Sequence, residues 1–305
     1  MNLKSSIDIG TNSVLLLVCE MENGIINVLH EKQSVPRLGK GVDVEKKLHP
    51  ESCKRVMNVL RDYRQFLNSI ESGLAEYAVV TATSAVRDAG NRDDFIKLVK
   101  KETGWDIRLL SGAEEAQITY IGGLSVLEHR QSNGNLVIDI GGGSTEISYG
   151  KGYKLIQANS VDMGSVRFTE RLFKNDPPSP HEIQNARSEI RKLLLSLEKP
   201  HGDFDVIGVA GTVTSLAAIH YNLTDYNTNH LNSSILRRDT LNNSIDEFSK
   251  MQYLTIENKY PEFMTGRGEV ILAGALILDE ILSWCGRDFC LVSTGGIRHG
   301  IILNG

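Results

Sequence analysis

Two stretches of the sequence share one pattern: Ile7-Asp8-Ile9-Gly10-Thr11-Asn12-Ser13 and Ile138-Asp139-Ile140-Gly141-Gly142-Gly143-Ser144. Each leads into a second apolar run, Val14 to Val18 in the first case and Ile147 to Tyr149 in the second. Each therefore reads as a strand, a tight Gly/Ser-rich turn and a returning strand. Gly142, Gly143, Ser144 and Thr145 carry so little side chain that their backbone N–H groups could approach a phosphate closely. Thr11, Asn12 and Ser13 offer hydroxyls and an amide in the matching turn. An aspartate at the end of each first strand, Asp8 and Asp139, could hold Mg²⁺ beside that phosphate, usually through water. A single Gly-rich hairpin can be no more than a turn. Two Asp-bearing copies about one domain apart point to phosphate chemistry.

Further candidates follow along the chain. Ser111-Gly112-Ala113-Glu114 has the spacing of a capping box, which ties Glu114 back to the helix start. Glu115 lies about 100° further round that helix. It is free to face a cleft, with the positive end of the helix dipole expected to keep it ionised. An ionised carboxylate there could orient and deprotonate a water. Arg87, after the small residues Thr83-Ser84-Ala85, could clamp phosphate oxygens with both arms of its guanidinium; alone, it would read as a surface ion pair. Glu146, on the strand after the second turn, could join Asp139 around a metal or help hold the water. Gly211 and Thr212 are additional phosphate candidates, and Gly208 to Thr212 could equally line an adenosine pocket. Arg267, Arg298 and His299 are further polyanion contacts to consider.

These residues require a scaffold of alternating strands and helices. Tyr77 to Thr81 and Ile107 to Leu110 read as strands, and Val56, Leu60, Tyr63 and Leu67 fall at helical spacing after Pro50. Asn91 is an expected N-cap for a helix carrying Phe95, Leu98 and Val99. Ser179-Pro180-His181-Glu182 is a second capping box, opening a helix with Ile183, Ala186, Ile190, Leu193 and Leu197 on its buried face. Val206 to Ala210 is an expected strand before the helix Val213 to His220. Glu269 to Cys285 is nearly all apolar and reads as a buried helix. Leu291 to Ser293 reads as a last strand and Ile297 to Leu303 as a short returning helix. The polar stretch Tyr221 to Asn243 is the expected mobile insertion. The duplicated turn implies two similar α/β domains facing across a cleft. The first takes residues 1–127 plus 297–305, the second residues 128–296, with crossings at Gly122 to Gly134 and Thr294 to Gly296.

Composition narrows the functional classes. The chain has 305 residues, a formal net charge of -5, 41% hydrophobic and 23% charged residues. That suits a globular protein with two cores and excludes a disordered one. The acidic balance argues against nucleic-acid binding. The longest apolar run, Val270 to Leu278, is far below the ~20 residues of a membrane span. The first Asp-bearing turn comes too early to leave room for a secretion signal. Four cysteines without metal-type spacing read as reduced thiols, so a cytoplasmic location is expected.

The paired Asp-Ile-Gly turns resemble the phosphate-1 and phosphate-2 motifs of the actin, Hsp70 and sugar-kinase superfamily, whose domains have a ribonuclease-H-like fold. Within it the chain resembles the exopolyphosphatase and guanosine pentaphosphate phosphatase (Ppx/GppA) family. The residues that carry this are Asp8 to Ser13, Thr81 to Ala89, Ser111 to Ala116, Asp139 to Glu146, Met163-Gly164-Ser165-Val166-Arg167, Gly208 to Thr212 and Gly295-Gly296-Ile297-Arg298, in family order across nearly the whole chain. The resemblance implies that Glu115 is the catalytic glutamate. It also implies hydrolysis of a terminal phosphoanhydride with Mg²⁺ or another divalent cation as cofactor. The partner is then inorganic polyphosphate or guanosine pentaphosphate, with monomer and homodimer both left open. Longer family members add a C-terminal helical region that this sequence does not show, so among polyphosphates short chains are expected over very long ones. A nucleotide-dependent kinase or ATPase of the superfamily, and a catalytically idle sensor of guanosine tetra- or pentaphosphate, are the alternatives.

Overall fold

The computed structural model describes residues 3–127, 134–224 and 228–304. Among them are eleven strands in two sheets. The first half contributes β1 (Leu3–Ile9), β2 (Val14–Glu22), β3 (Ile25–Ser34), β4 (Val79–Ala82) and β5 (Ile107–Leu109). The second contributes β6 (Asn135–Ile140), β7 (Thr145–Lys151), β8 (Lys154–Val161), β9 (Asp205–Val209), β10 (Ile235–Arg237) and β11 (Phe289–Val292). The sheet orders are β3-β2-β1-β4-β5 and β8-β7-β6-β9-β11-β10. In each, an antiparallel three-strand meander is followed by two parallel strands. This is one ribonuclease-H-like α/β order used twice, with β10 added antiparallel at the edge of the second sheet.

Alternating side chains on the strands build the cores. Ile7, Ile9, Val14, Leu16 and Val80 face the helices Pro50–Ile70 and Arg92–Thr103. Val56, Leu60, Tyr63 and Leu67 of the former are buried against them, as their spacing requires. In the second half, Leu136, Ile138, Ile140, Val206 and Val292 face helices that include Pro180–Leu194, Ala210–His220 and Gly268–Cys285. The last of these is buried along most of its length.

The opposite sheet faces meet through two helices. Helix Gly112–Ser125 lays Tyr120 against Val137, Ile207, Val209 and Leu291 of the second sheet. Helix Ile297–Asn304 lays Ile302 against Leu17 and Cys19 of β2. The two helices pack together through Ile118, Ile297 and Ile301, with Leu110, just after β5, in the same cluster. A Cβ at Gly122 would clash with the Gly296 carbonyl, and one at Gly300 with the Ile118 carbonyl, so only glycine allows this approach. Helix Gly112–Ser125, counted by sequence with the first domain, thus packs on the second sheet.

Other expectations need correction. Tyr77 is not in a strand: Leu74–Tyr77 forms a single tight helical turn, Tyr77 is exposed, and β4 starts at Val79. Asn91 precedes its helix, but its side chain bonds the Leu48 backbone instead of capping. The stretch Tyr221 to Asn243 is largely regular, holding β10, the turn of helix Thr228–Leu231 and the start of helix Arg238–Phe248. Residues 225–227 of that stretch, and 128–133 of the expected first crossing, lie outside the described residues.

Candidate active site

The two hairpins meet at a cavity of about 410 Å³ between the sheets. Their registers match: Asp8 pairs with Leu15 and Ile9 with Val14, as Asp139 pairs with Glu146 and Ile140 with Thr145. Each turn is closed by the same backbone bond, Gly10 N–H to the Ser13 carbonyl at 2.9 Å and Gly141 N–H to the Ser144 carbonyl at 3.0 Å. Asp8, Thr11, Asn12, Ser13, Glu115, Asp139, Gly142, Ser144, Gly211 and Thr212 all line the cavity. The Thr11 and Ser84 hydroxyls share a hydrogen bond at 2.9 Å, and Asn12 Nδ2 donates to the Gly266 carbonyl at 3.5 Å.

Thr145, Gly143, Arg87 and Glu146 are sequence candidates that are not on the cavity wall. Thr145 is fully buried and its hydroxyl donates to the Met163 carbonyl, which leaves none of it for a ligand. Gly143 is packed against Ser84, and its carbonyl accepts from Arg167 Nε at 2.6 Å. Arg87 and Glu146 stand one layer behind. Arg87 Nη1 donates to Glu115 Oε2 at 2.9 Å and to the Leu110 carbonyl at 3.1 Å, so in this conformation one arm of the expected phosphate clamp holds Glu115. Glu146 accepts from the Ser160 hydroxyl at 2.6 Å.

The adjacent glutamates separate cleanly. Glu114 closes the capping box, accepting from the Ser111 N–H at 3.0 Å and hydroxyl at 2.8 Å while the Ser111 hydroxyl accepts from the Glu114 N–H. Glu115 is 5% exposed and faces the cavity. Its protonation state departs from the dipole-based expectation. Burial first, then repulsion from Glu146, pushes its carboxyl well above the usual range; the bond and charge of Arg87 oppose this and Asp139 adds to it. Desolvation of a buried carboxylate outweighs the half-charge of a helix end. A carboxylate so raised is a stronger proton acceptor once it is ionised.

The other acids behave alike. Burial and then Asp139 raise Asp8 to about 7, burial raises Asp139 to about 6, and burial and then Asp139 raise Glu146 to about 8. Thr119 supports Asp139 with a hydroxyl bond at 3.3 Å, whereas Asp8 Oδ1 is buried with no hydrogen-bond partner. Mutually repelling buried carboxylates with an orphaned oxygen suit a divalent cation. Among the described residues no three His, Cys, Asp or Glu side chains converge as a ready ion cage. A cation held here through one or two carboxylates would keep several waters, as Mg²⁺ does.

Three cations complete the wall: Lys32, Arg267 and Arg298. Arg267 is 8% exposed, its Nε has no partner, and its guanidinium covers Gly211. Arg298 holds Glu31 at 3.0 Å and lowers Asp8 by its charge. His299 is instead buried, away from the wall, and burial pushes it down to about 3, so it stays neutral. Sequence reading missed Glu31, Lys32 and Gln33. They reach the site because β3 pairs with β2 so that Gln33 lies opposite Leu15 and Lys32 opposite Leu16, a register no local pattern announces.

The sequence profile of the Ppx/GppA phosphatase family matches residues 17–305. The chain belongs to the Ppx/GppA phosphatase family. Among relatives of this family member, exopolyphosphatase 2 of Mycobacterium tuberculosis is 31% identical over 324 residues, covering 98% of this chain and 97% of that protein. The bifunctional 3-dehydroquinate synthase/phosphatase of Fusobacterium nucleatum is 35% identical over 315 residues, covering 99% of this chain; the chain spans 46% of that longer protein. The crystal structure of the Aquifex aeolicus Ppx/GppA family member superposes with a TM-score of 0.82 at 29% identity, over 99% of this chain and 96% of that one. Among the described residues, no helix is long and apolar enough to cross a membrane.

Proposed function

We propose that this Ppx/GppA family member is a phosphoanhydride hydrolase. Its water attacks the terminal phosphoryl group of inorganic polyphosphate, or the γ-phosphate of guanosine pentaphosphate, and orthophosphate leaves. The observation that carries the reading is the placement of Glu115: a buried carboxylate, gripped by Arg87 at 2.9 Å, facing the same cavity as both Asp-bearing turns. Glu115 orients the water and takes its proton as the new P–O bond forms and the bridging P–O bond breaks. The backbone of Gly142 and Ser144, with Thr11, Asn12 and Ser13, holds phosphate oxygens on either side. Arg267, Arg298 and Lys32 offset the charge of the remaining phosphates. Asp139, with Asp8 opposite and Glu146 one layer behind adding negative charge, would hold Mg²⁺, which when bound supplies positive charge for the phosphate oxygens.

The kinase or ATPase reading needs an adenosine pocket at Gly208 to Thr212. The Arg267 guanidinium already covers Gly211, which favours anion binding over purine binding there. A sensor would need no buried base, so Glu115 argues against idleness. Phosphate release from polyphosphate, guanosine pentaphosphate and ATP, measured side by side with Mg²⁺, tests the reading. One of the first two should exceed ATP by at least ~10-fold in kcat/KM. A preference for ATP would support the kinase or ATPase reading, and no release from any would support the sensor.

A further inference from the structure

Arg167 lies outside the cavity wall, yet it is among the most enclosed charges of the molecule at 6% exposure. Its Nε donates to the Gly143 carbonyl at 2.6 Å, its Nη1 to Asp43 Oδ1 at 2.5 Å and its Nη2 to Asp88 Oδ2 at 2.5 Å. Gly143 belongs to the second half and both aspartates to the first, so one guanidinium spans the two. Arg171 adds a second contact to Asp43. A buried cation costs stability unless it is fully paired, and all three bonding edges of this one are engaged.

The bond to Gly143 also extends a local pattern. Ser165 N–H donates to the Gly141 carbonyl at 2.9 Å, and Val166 and Arg167 N–H donate to the Gly142 carbonyl at 2.9 and 3.0 Å. Three successive carbonyls of the turn thus point at helix Ser165–Leu172. In a trans peptide the next N–H points the opposite way, so the N–H groups of Gly142, Gly143 and Ser144 turn away from that helix. Gly142 and Ser144 are cavity residues. On the other side, Asp88 lies 3.9 Å from Arg87 Nε, and Arg87 holds Glu115. A polar chain runs Gly143–Arg167–Asp88–Arg87–Glu115, hydrogen-bonded at every link except the looser ion pair between Asp88 and Arg87.

We propose that Arg167 is a positioning residue that fixes the N–H groups of the glycine-rich turn relative to Glu115, so that phosphate and attacking water are aligned only when both halves are bolted together. This rests on the hydrolytic reading of the cleft. Misplacement by about 1 Å costs on the order of 10²-fold in rate, whereas ground-state grip is spread over many contacts. The effect therefore falls on kcat.

The test is steady-state phosphate release by the full chain, with melting temperature measured in parallel. Arg167→Met should lower kcat by roughly 10- to 100-fold and move KM by less than about 3-fold. Asp88→Asn should lower kcat alone, but add nothing further once Arg167→Met is present. Arg187→Met is the control, because Arg187 makes an equally close network to Asp279 and Glu280 at 2.5 Å wholly within the second half. It should lose stability and keep kcat. Should Arg167→Met not fold, Arg167→Lys and Asp88→Asn carry the comparison. Wild-type kcat in Arg167→Met, a loss no larger than that of Arg187→Met, or additive losses with Asp88→Asn would overturn the proposal. A wild-type chain that releases no phosphate from any phosphoanhydride would instead overturn the reading of the cleft on which it rests.

Discussion

The turn after β1 and the turn after β6 occupy equivalent places in two sheets of the same order and are closed by the same backbone bond. Their side chains differ because they touch. A Cβ at Gly142 would lie 2.8 Å from Thr11 Cβ, and one at Gly143 would lie 2.6 Å from Ser84 Oγ. The first turn can carry Thr11 only because the second carries nothing at those positions. The second offers bare backbone to a ligand, the first offers side chains. The acids divide the same way. Asp139 has Thr119 and sits beside Glu146, whereas Asp8 has an orphaned oxygen and faces Arg298. A duplicated fold has become a cleft with unlike walls.

The sharpest way to break this comparison is to exchange the two aspartates for asparagine. Asp139→Asn should raise the Mg²⁺ concentration for half-maximal rate by ~10- to 100-fold, the scale for damaging a metal site. Asp8→Asn should raise it less, since Arg298 already offsets that charge. Equal effects would show that the walls share the cation evenly. Next in size is Gly142→Ala, expected to destabilise by about 1–3 kcal/mol through overpacking. Adding Thr11→Gly should recover part of that loss in urea denaturation; no recovery would mean that the turns do not interlock.

A smaller effect tests the carboxylates together. Asp8, Asp139 and Glu146 titrate at about 7, 6 and 8 in the folded chain, against ordinary values of 3.8, 3.8 and 4.5. The folded state therefore binds more protons than the unfolded one across this window. Stability should fall as pH rises from about 4 to about 8, the sign for raised carboxyls. Mg²⁺ should offset the repulsion, raising Tm by about 3–6 °C in excess cation at pH 8 and by less at pH 5. An equal shift at both pH values would contradict the site. Smallest of all, Glu114→Gln should cost about 1 kcal/mol or less in thermal unfolding and leave kcat unchanged, since that side chain serves the cap and an exposed pair with Arg108, away from the cavity.

Much of this was legible in sequence because it is local. Both capping boxes are spelled by four consecutive residues, and the Asp-Gly turns by seven. Glu115 separates from Glu114 by helix geometry alone. What failed depended on distance. Thr145 looks like one more small residue of the turn, yet its hydroxyl is used by Met163, eighteen residues on. The dipole at the start of helix Gly112–Ser125 is a local term, and it loses to burial and to Glu146, which comes from the other half of the sequence. Arg167 stands in a recognisable motif, but its partners Asp43 and Asp88 come from the other half of the molecule. Tyr221 to Asn243 is polar enough to read as a loop, but Leu231, Leu236 and Leu241 are buried within it.

The most direct test of the central claim is the pH dependence of kcat for phosphate release by the wild type and by Glu115→Gln. The base must be ionised to take the proton from water, and its carboxyl is raised well above 4.5. Wild-type kcat should therefore fall on the acid side, with an apparent pKa well above the ordinary glutamate value. Glu115→Gln should lose ~10²-fold or more at the optimum and lose that acid limb, while still binding substrate. A Glu115→Gln variant that keeps both the rate and the acid limb would contradict the assignment of Glu115 as the base.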